Sequence, residues 1–259
     1  LACLLLLGCA TSPTGRKQLM LVSEDSAIAS SRSAYLSTVK QLDDAGKLED
    51  DWAVNKRVDV ITGMLVTEAI KMRPDTANWE WSVVVIDDPE TINAWCMAGG
   101  RMAIYSGLIT KLDPTDDELA QVMAHEISHA LANHTAEKMS MRIATSVGVA
   151  AVGVAADNSG VALSGAALTA MLAVNLPNSR AAETEADRIG IELAAKAGFD
   201  PAAAATLWQK MGKASKSNPP QFLSTHPAPT NRQEELAQLE PEMRKYYDPQ
   251  AKHPIYKLD

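Results

Sequence analysis

The chain has 259 residues, 46% of them hydrophobic, which is enough to build one domain with a sizeable core. A net charge of −8 argues against nucleic acid or an anionic lipid surface as the partner. Three widely spaced cysteines exclude a disulfide framework, and no internal repeat is present.

The apolar opening, Leu1-Ala2-Cys3-Leu4-Leu5-Leu6-Leu7-Gly8-Cys9-Ala10, is too short to span a bilayer. It fits the h-region of a signal peptide whose start is missing, since no initiating Met or basic flank precedes it. Leu6-Leu7-Gly8-Cys9 has the form of a lipobox, in which Cys9 becomes the lipidated first residue and Cys3 is lost. The alternative is a plain signal peptide with an incidental cysteine. A multiply acylated Cys9 would anchor stably, and Ala10 after it points to the outer membrane. Cys96 would then remain unpaired, which an oxidising compartment tolerates if the thiol is buried. The expected organisation is a signal remnant with lipobox over 1–9, a tether over 10–24, the main domain over 25–245 and a C-terminal tail over 246–259.

Ser23 to Gln41 and Trp52 to Met72 read as amphipathic helices. Trp81 to Ile86 reads as a strand ended by Asp87-Asp88-Pro89, and Ile92 to Met97 and Met102 to Ser106 as two more, joined at Gly99-Gly100. Asn93, Ala94 and Trp95 begin a strand that is either an open edge, to which an extended peptide adds, or a covered one. Thr115-Asp116-Asp117-Glu118 has the form of a capping box and starts a helix near Asp116. Glu118 is expected to serve that cap, the alternative being a place behind the metal ligands. Leu119, Met123, Ile127, Ala130 and Leu131 continue the helix at apolar spacing.

Within that helix stands His125-Glu126-Ile127-Ser128-His129, an H-E-x-x-H sequence. Residues at i and i+4 share one helix face, so the two imidazoles point the same way and supply half of a tetrahedral zinc site. Glu126 falls beside the metal, where it can act as general base on a water. A chance match on a surface helix is the bland alternative, but the apolar helix around the motif makes unpaired ionisable groups costly. The metzincin continuation needs Gly and His where this chain has Ala132 and Thr135, so His134 is out of register and reads as a helix-end residue. The other classical choice of third ligand is a glutamate on a later helix, and Glu183 to Lys196, ended by Gly198, supplies it unless it is an ordinary acidic amphipathic helix. Glu183 and Asp187 share its face and Glu185 points elsewhere. Glu183 is assigned to zinc, and Asp187 to the partner of a ligand histidine.

Between these helices, Ile143 to Leu176 is rich in Ala, Gly and Val and is split by Asp157-Asn158-Ser159-Gly160. Each half is short for a membrane crossing, so a helical hairpin forming a lid over the site is expected. Ala202 to Met211 and Asn231 to Leu239 complete a helical C-terminal part.

Ala124 to Ala130 together with Ser179 to Gly190 resembles the HtpX and CAAX-prenyl-protease family of gluzincin metallopeptidases, and within it the bacterial envelope lipoprotein branch of LoiP- and BepA-like proteins. Three further stretches carry the resemblance: Asn93-Ala94-Trp95 with Gly99-Gly100-Arg101, Thr225-His226-Pro227 with Arg232, and Thr14 to Leu19. One departure is Ala98-Gly99-Gly100, where relatives have Pro-Gly-Gly. The resemblance implies an α+β, mostly helical gluzincin-type fold, with a small sheet whose edge strand lies beside the H-E-x-x-H helix and binds substrate through Asn93, Ala94 and Trp95. It implies one Zn2+ held by His125, His129 and Glu183, with Glu126 as base. It implies polypeptide substrates, chiefly misfolded or unassembled envelope proteins, with outer-membrane assembly machinery as a further partner. His226 is then an oxyanion donor, a fourth ligand that keeps the enzyme latent, or a plain loop histidine. Arg232 would anchor that loop to a carboxylate. Two rivals remain: a chaperone-like assembly factor that uses the same cleft with little proteolysis, and a structural zinc protein, a class that prefers cysteine-rich closed sites.

Overall fold

The computed structural model describes residues 9–155, 176–214, 220–226 and 231–259. Side-chain caps start the first two long helices. Ser23 accepts from the Ser26 N–H to open α1 (Glu24–Asp44), and Asp51 accepts from Ala53 and Val54 to open α2 (Trp52–Met72). The apolar face of α2, including Val58, Ile61, Leu65 and Ala69, is buried in the main core.

The strands are β3 (Ser82–Ile86), β4 (Ala94–Met97) and β5 (Arg101–Tyr105), after the short β1 (Cys9–Thr11) and β2 (Lys17–Leu19). The three form one sheet in the order β3-β5-β4, with β3 parallel and β4 antiparallel to β5. The β4–β5 turn passes through Gly99 at φ 87° and Gly100 at φ 83°, a region that side chains avoid. A Cβ on Gly100 would also stand 2.4 Å from the Trp81 ring. Trp81, read from sequence as strand, lies just outside β3, fully buried, with its indole N–H donating to the Thr76 carbonyl.

The helices that follow are α3 (Ser106–Leu112), α4 (Asp116–Leu131), α5 (His134–Ala155), α6 (Leu176–Lys196), α7 (Ala203–Ala214), α8 (Gln221–Thr225) and α9 (Arg232–Met243). The fold is thus α+β and mostly helical, with β4 packed beside α4. Among the described residues no helix is long and apolar enough to cross a membrane. Residues 143–155 continue α5, whereas 156–175, most of the segment read as a lid, lie outside the described residues.

Two terminal segments are held against the rest of the chain by hydrogen bonds. Residues 10–24, expected as a tether, include an antiparallel hairpin with Cys9 opposite Leu19. Its Gln18 side chain is buried and donates to the Ala132 carbonyl. Polar anchoring of this kind has no apolar periodicity to announce it. The C-terminal tail crosses α2, where the Tyr256 N–H donates to the Gly63 carbonyl, and ends beside β3, where the Asp259 N–H donates to the Trp81 carbonyl.

Candidate metal centre

Thr115 and Glu118 form a reciprocal capping box, and α4 runs from it through His125 and His129. The helix stops at Ala132, and Asn133 adopts the left-handed conformation (φ 57°), which asparagine tolerates well. That corner restarts the chain as α5 at His134. Across α4 lies α6, and Gly190 is what lets the two backbones approach: a Cβ there would stand 3.0 Å from the His125 nitrogen. This close crossing brings Glu183 to the histidines. The fourth side chain, His226, caps the end of α8. The Phe222 N–H donates to the Ile92 carbonyl just ahead of β4, the His226 N–H to the Phe222 carbonyl, and the His226 ring stacks on Phe222 at 4.4 Å.

His125, His129, Glu183 and His226 each turn one donor atom into a common space. His125 Nε2 lies 3.1 Å from His129 Nε2 and 3.3 Å from His226 Nδ1. Glu183 Oε2 is 3.3 Å from His125 Nε2 and 3.2 Å from His226 Nδ1, and its Oε1 is 3.6 Å from His129 Nε2. A tetrahedral zinc with bonds of about 2.0–2.1 Å has donor–donor edges of about 3.3–3.4 Å. The spacing of the four donors therefore fits that ion. Three imidazoles and a carboxylate are also donors that zinc prefers.

The surroundings set the charges. Burial pushes the Glu126 carboxyl up, with His226 and His125 acting against it. Its Oε1 is buried with no hydrogen-bond partner, although His226 Nε2 stands 3.4 Å away. Burial and Arg232 would lower His125, but hydrogen bonds to Asp187 and Glu183 outweigh them and raise it to about 9. Burial and the neighbouring His125 hold His129 well below its ordinary value. Burial would raise Glu183, yet hydrogen bonds from His125 and His226 hold it far below the usual carboxylate range. Asp187 Oδ1 stands 3.0 Å from His125 Nδ1 and also accepts from Arg232 Nη2. The Arg232 guanidinium lies 4.0 Å over the Trp208 ring.

The structure thus gathers Glu126, His125, His129, Glu183, His226, Asp187 and Arg232 in one place. Asn93 precedes β4 and Ala94 and Trp95 open it, at the edge of the sheet. The Tyr105 N–H donates to the Asn93 carbonyl, so with Ala94 opposite Ile104 the backbone groups of Ala94 and Cys96 face away from β5. Asn93 Oδ1 is buried without a hydrogen-bond partner among the described residues. Cys96 is buried, and burial pushes its thiol well up. Cys9 is the first described residue, and Pro227 lies outside the described set.

Sequence reasoning missed a set of buried contacts around His134. Its Nδ1 lies 2.7 Å from His129 Nδ1, and its Nε2 lies 3.2 Å from Glu185 Oε2. Glu185 does point away from the donor cluster, but into this second group rather than into solvent. The available signals were a third histidine five residues after His129 and a second glutamate two after Glu183.

A family model described as Peptidase family M48 matches residues 54–240. The chain belongs to peptidase family M48. Its relatives include the mitochondrial metalloendopeptidase OMA1 of Schizosaccharomyces pombe, 37% identical over 73% of this chain and 52% of the relative. Bovine metalloendopeptidase OMA1, mitochondrial, is 32% identical over 90% of this chain and 46% of its own length. The beta-barrel assembly-enhancing protease of Escherichia coli K12 is 33% identical over 75% of this chain and 40% of its own. The chain thus spans about half the length of the curated relatives it matches. M48 membership and the geometry of the four donors agree on a zinc centre.

Proposed function

We propose that this M48 chain is a zinc-dependent endopeptidase of the bacterial cell envelope. It is lipid-anchored through Cys9, faces the periplasm from the outer membrane, and cleaves misfolded or unassembled membrane and periplasmic proteins. The observation that carries the hydrolytic reading is the convergence of His125, His129 and Glu183 beside the buried, upward-shifted carboxyl of Glu126. Zinc, when bound by those three residues, supplies Lewis-acid chemistry that acidifies a water and polarises a peptide carbonyl. Glu126 takes the proton of the attacking water on Oε1 and returns it to the leaving amine. Asp187 accepts a hydrogen bond from the His125 Nδ1–H, which keeps the lone pair on Nε2 for coordination. Arg232 holds Asp187 in that pose. The outward backbone groups of Ala94 and Cys96 pair with an extended substrate strand.

His226 occupies the fourth corner and keeps the resting enzyme closed, because its Nδ1 lies within the donor cluster. The envelope location rests on the lipobox around Cys9 and on relatives named as beta-barrel assembly-enhancing proteases. The OMA1 relatives share the domain in mitochondria, so the domain by itself does not set the compartment. A second reading, a chaperone-like assembly factor with little proteolysis, is favoured by the closed fourth corner.

The deciding experiment follows cleavage of an unfolded outer-membrane protein, with zinc content measured in parallel. Glu126→Gln should retain zinc and lose activity by about 100- to 10,000-fold. Undiminished cleavage would overturn the base assignment. A wild type that holds the substrate without cutting it would favour the second reading.

A further inference from the structure

We propose that the β1–β2 hairpin is a clamp that positions the metal ligand His129, acting through Arg16, Glu185 and His134; this rests on the zinc reading above. The four residues form a continuous chain, with Glu185 and His134 buried and Arg16 and His129 partly so. Arg16 Nε donates to Glu185 Oε2 at 2.7 Å, and Thr14 Oγ1 donates to Glu185 Oε1 at 2.5 Å. Glu185 Oε2 faces His134 Nε2 at 3.2 Å, and His134 Nδ1 faces His129 Nδ1 at 2.7 Å. The other end of the Arg16 guanidinium is bidentate on Glu137, at 2.7 and 2.6 Å. The Gln18 amide donates to both Glu137 and the Ala132 carbonyl, and so grips the corner between α4 and α5. The Glu137 and Glu185 side chains are each only 2% exposed.

Donor counting gives this chain one sense. An ionised carboxylate only accepts, so His134 must carry its proton on Nε2 to bond Glu185. In a neutral His134 the Nδ1 is then a lone pair, and the short contact requires His129 to donate from Nδ1. His129 Nε2 is left as a lone pair aimed at His125, Glu183 and His226, the form in which imidazole binds zinc. With the His134 proton on Nδ1 instead, that contact would require an acceptor at His129 Nδ1, and neutral His129 would carry its proton on Nε2, where the metal must sit. Arg16 and Thr14 saturate Glu185 from the hairpin side and keep its Oε2 turned towards His134. Residues more than a hundred positions before the ligand therefore decide which nitrogen of His129 faces the cation.

The test measures zinc affinity by chelator competition and His134 protonation by 15N NMR of the imidazoles. In the wild type, His134 should appear as the Nε2–H tautomer. His134→Phe should weaken zinc binding by 10- to 100-fold, the usual effect of losing a ligand's outer partner. Arg16→Met and Thr14→Val, altered on the hairpin alone, should weaken it about tenfold and about threefold respectively, at unchanged helical content. Lys17→Ala, on the exposed side of the hairpin, should leave it unchanged. A His134 carrying Nδ1–H in the wild type would overturn the clamp whether or not any variant folds. So would folded Arg16→Met and His134→Phe proteins with wild-type affinity. A wild type that binds no zinc would instead overturn the metal-site reading.

Discussion

The Nε2 of His226 stands 3.4 Å from Oε1 of Glu126, between the donor cluster and the carboxylate proposed as base. That is where an attacking water must stand, so His226 and the nucleophile exclude each other. If closed molecules outnumber open ones by about ten to one, removing the block raises cleavage about tenfold. His226→Ala should therefore cleave an unfolded polypeptide faster than wild type while binding zinc less tightly. Slower cleavage at full zinc occupancy would assign His226 to support of the oxyanion instead.

Zinc uptake should depend on pH with a defined sign. In the metal-free fold His125 is raised from 6.5 to about 9. The proton on His125 stabilises that fold fully below 6.5, and the contribution fades as pH rises through about 9. Zinc must expel this proton to bind. Affinity should rise about tenfold per pH unit between 6.5 and 9 and level off above, as titration calorimetry across that range would measure. A flat profile would mean that His125 is already neutral before metal arrives.

The elements marked by local chemistry were legible in the chain. The capping box at Thr115 and Glu118, the apolar spacing of α2 and the two glycines of the β4–β5 turn each act through near neighbours. The order β3-β5-β4 was not legible, because parallel pairing of Ser82–Ile86 with Arg101–Tyr105 leaves no local mark. The hairpin over 9–19 was missed for a related reason. Arg16, Gln18, Glu137 and Glu185 look like solvated charges and amides until distant segments bring them together. Phe222 and the short α8 gave no periodicity, although they place His226.

Asp187 should matter more to zinc than its distance from the cation suggests. Its Oδ1 lies 3.0 Å from His125 Nδ1 and also accepts from Arg232. Asp187→Asn removes the charge and allows an N–H to face His125 Nδ1, which would favour the tautomer that cannot ligate. Zinc affinity should fall by about 10- to 100-fold, and the metal-free protein should melt lower, because the buried Arg232 and the protonated His125 lose their charged partner. Chelator competition and calorimetry on the same preparation would check both parts. Equal affinity would show that Glu183 alone orients His125.

Gly190 links packing to chemistry and gives the sharpest contrast with a second glycine. A Cβ at Gly190 would meet the His125 nitrogen at 3.0 Å and its Cα at 3.1 Å, both rigid helix backbone. Gly190→Ala must therefore push α6 away from α4, and Glu183 moves with it. Overpacking of this kind costs about 1–3 kcal/mol, and the widened donor set should bind zinc about tenfold less tightly, on the scale of other disturbed ligand positions. Gly212 in α7 has nothing within 4 Å of its added Cβ. There the same substitution should stabilise by about 0.4–1 kcal/mol through lost freedom of the unfolded chain, with zinc binding unchanged. Urea unfolding of the two variants side by side, with zinc affinity measured on each, separates a general helix effect from a spacing effect. If Gly190→Ala kept full affinity, the close crossing of α4 and α6 would not be what sets the distance between Glu183 and the histidines.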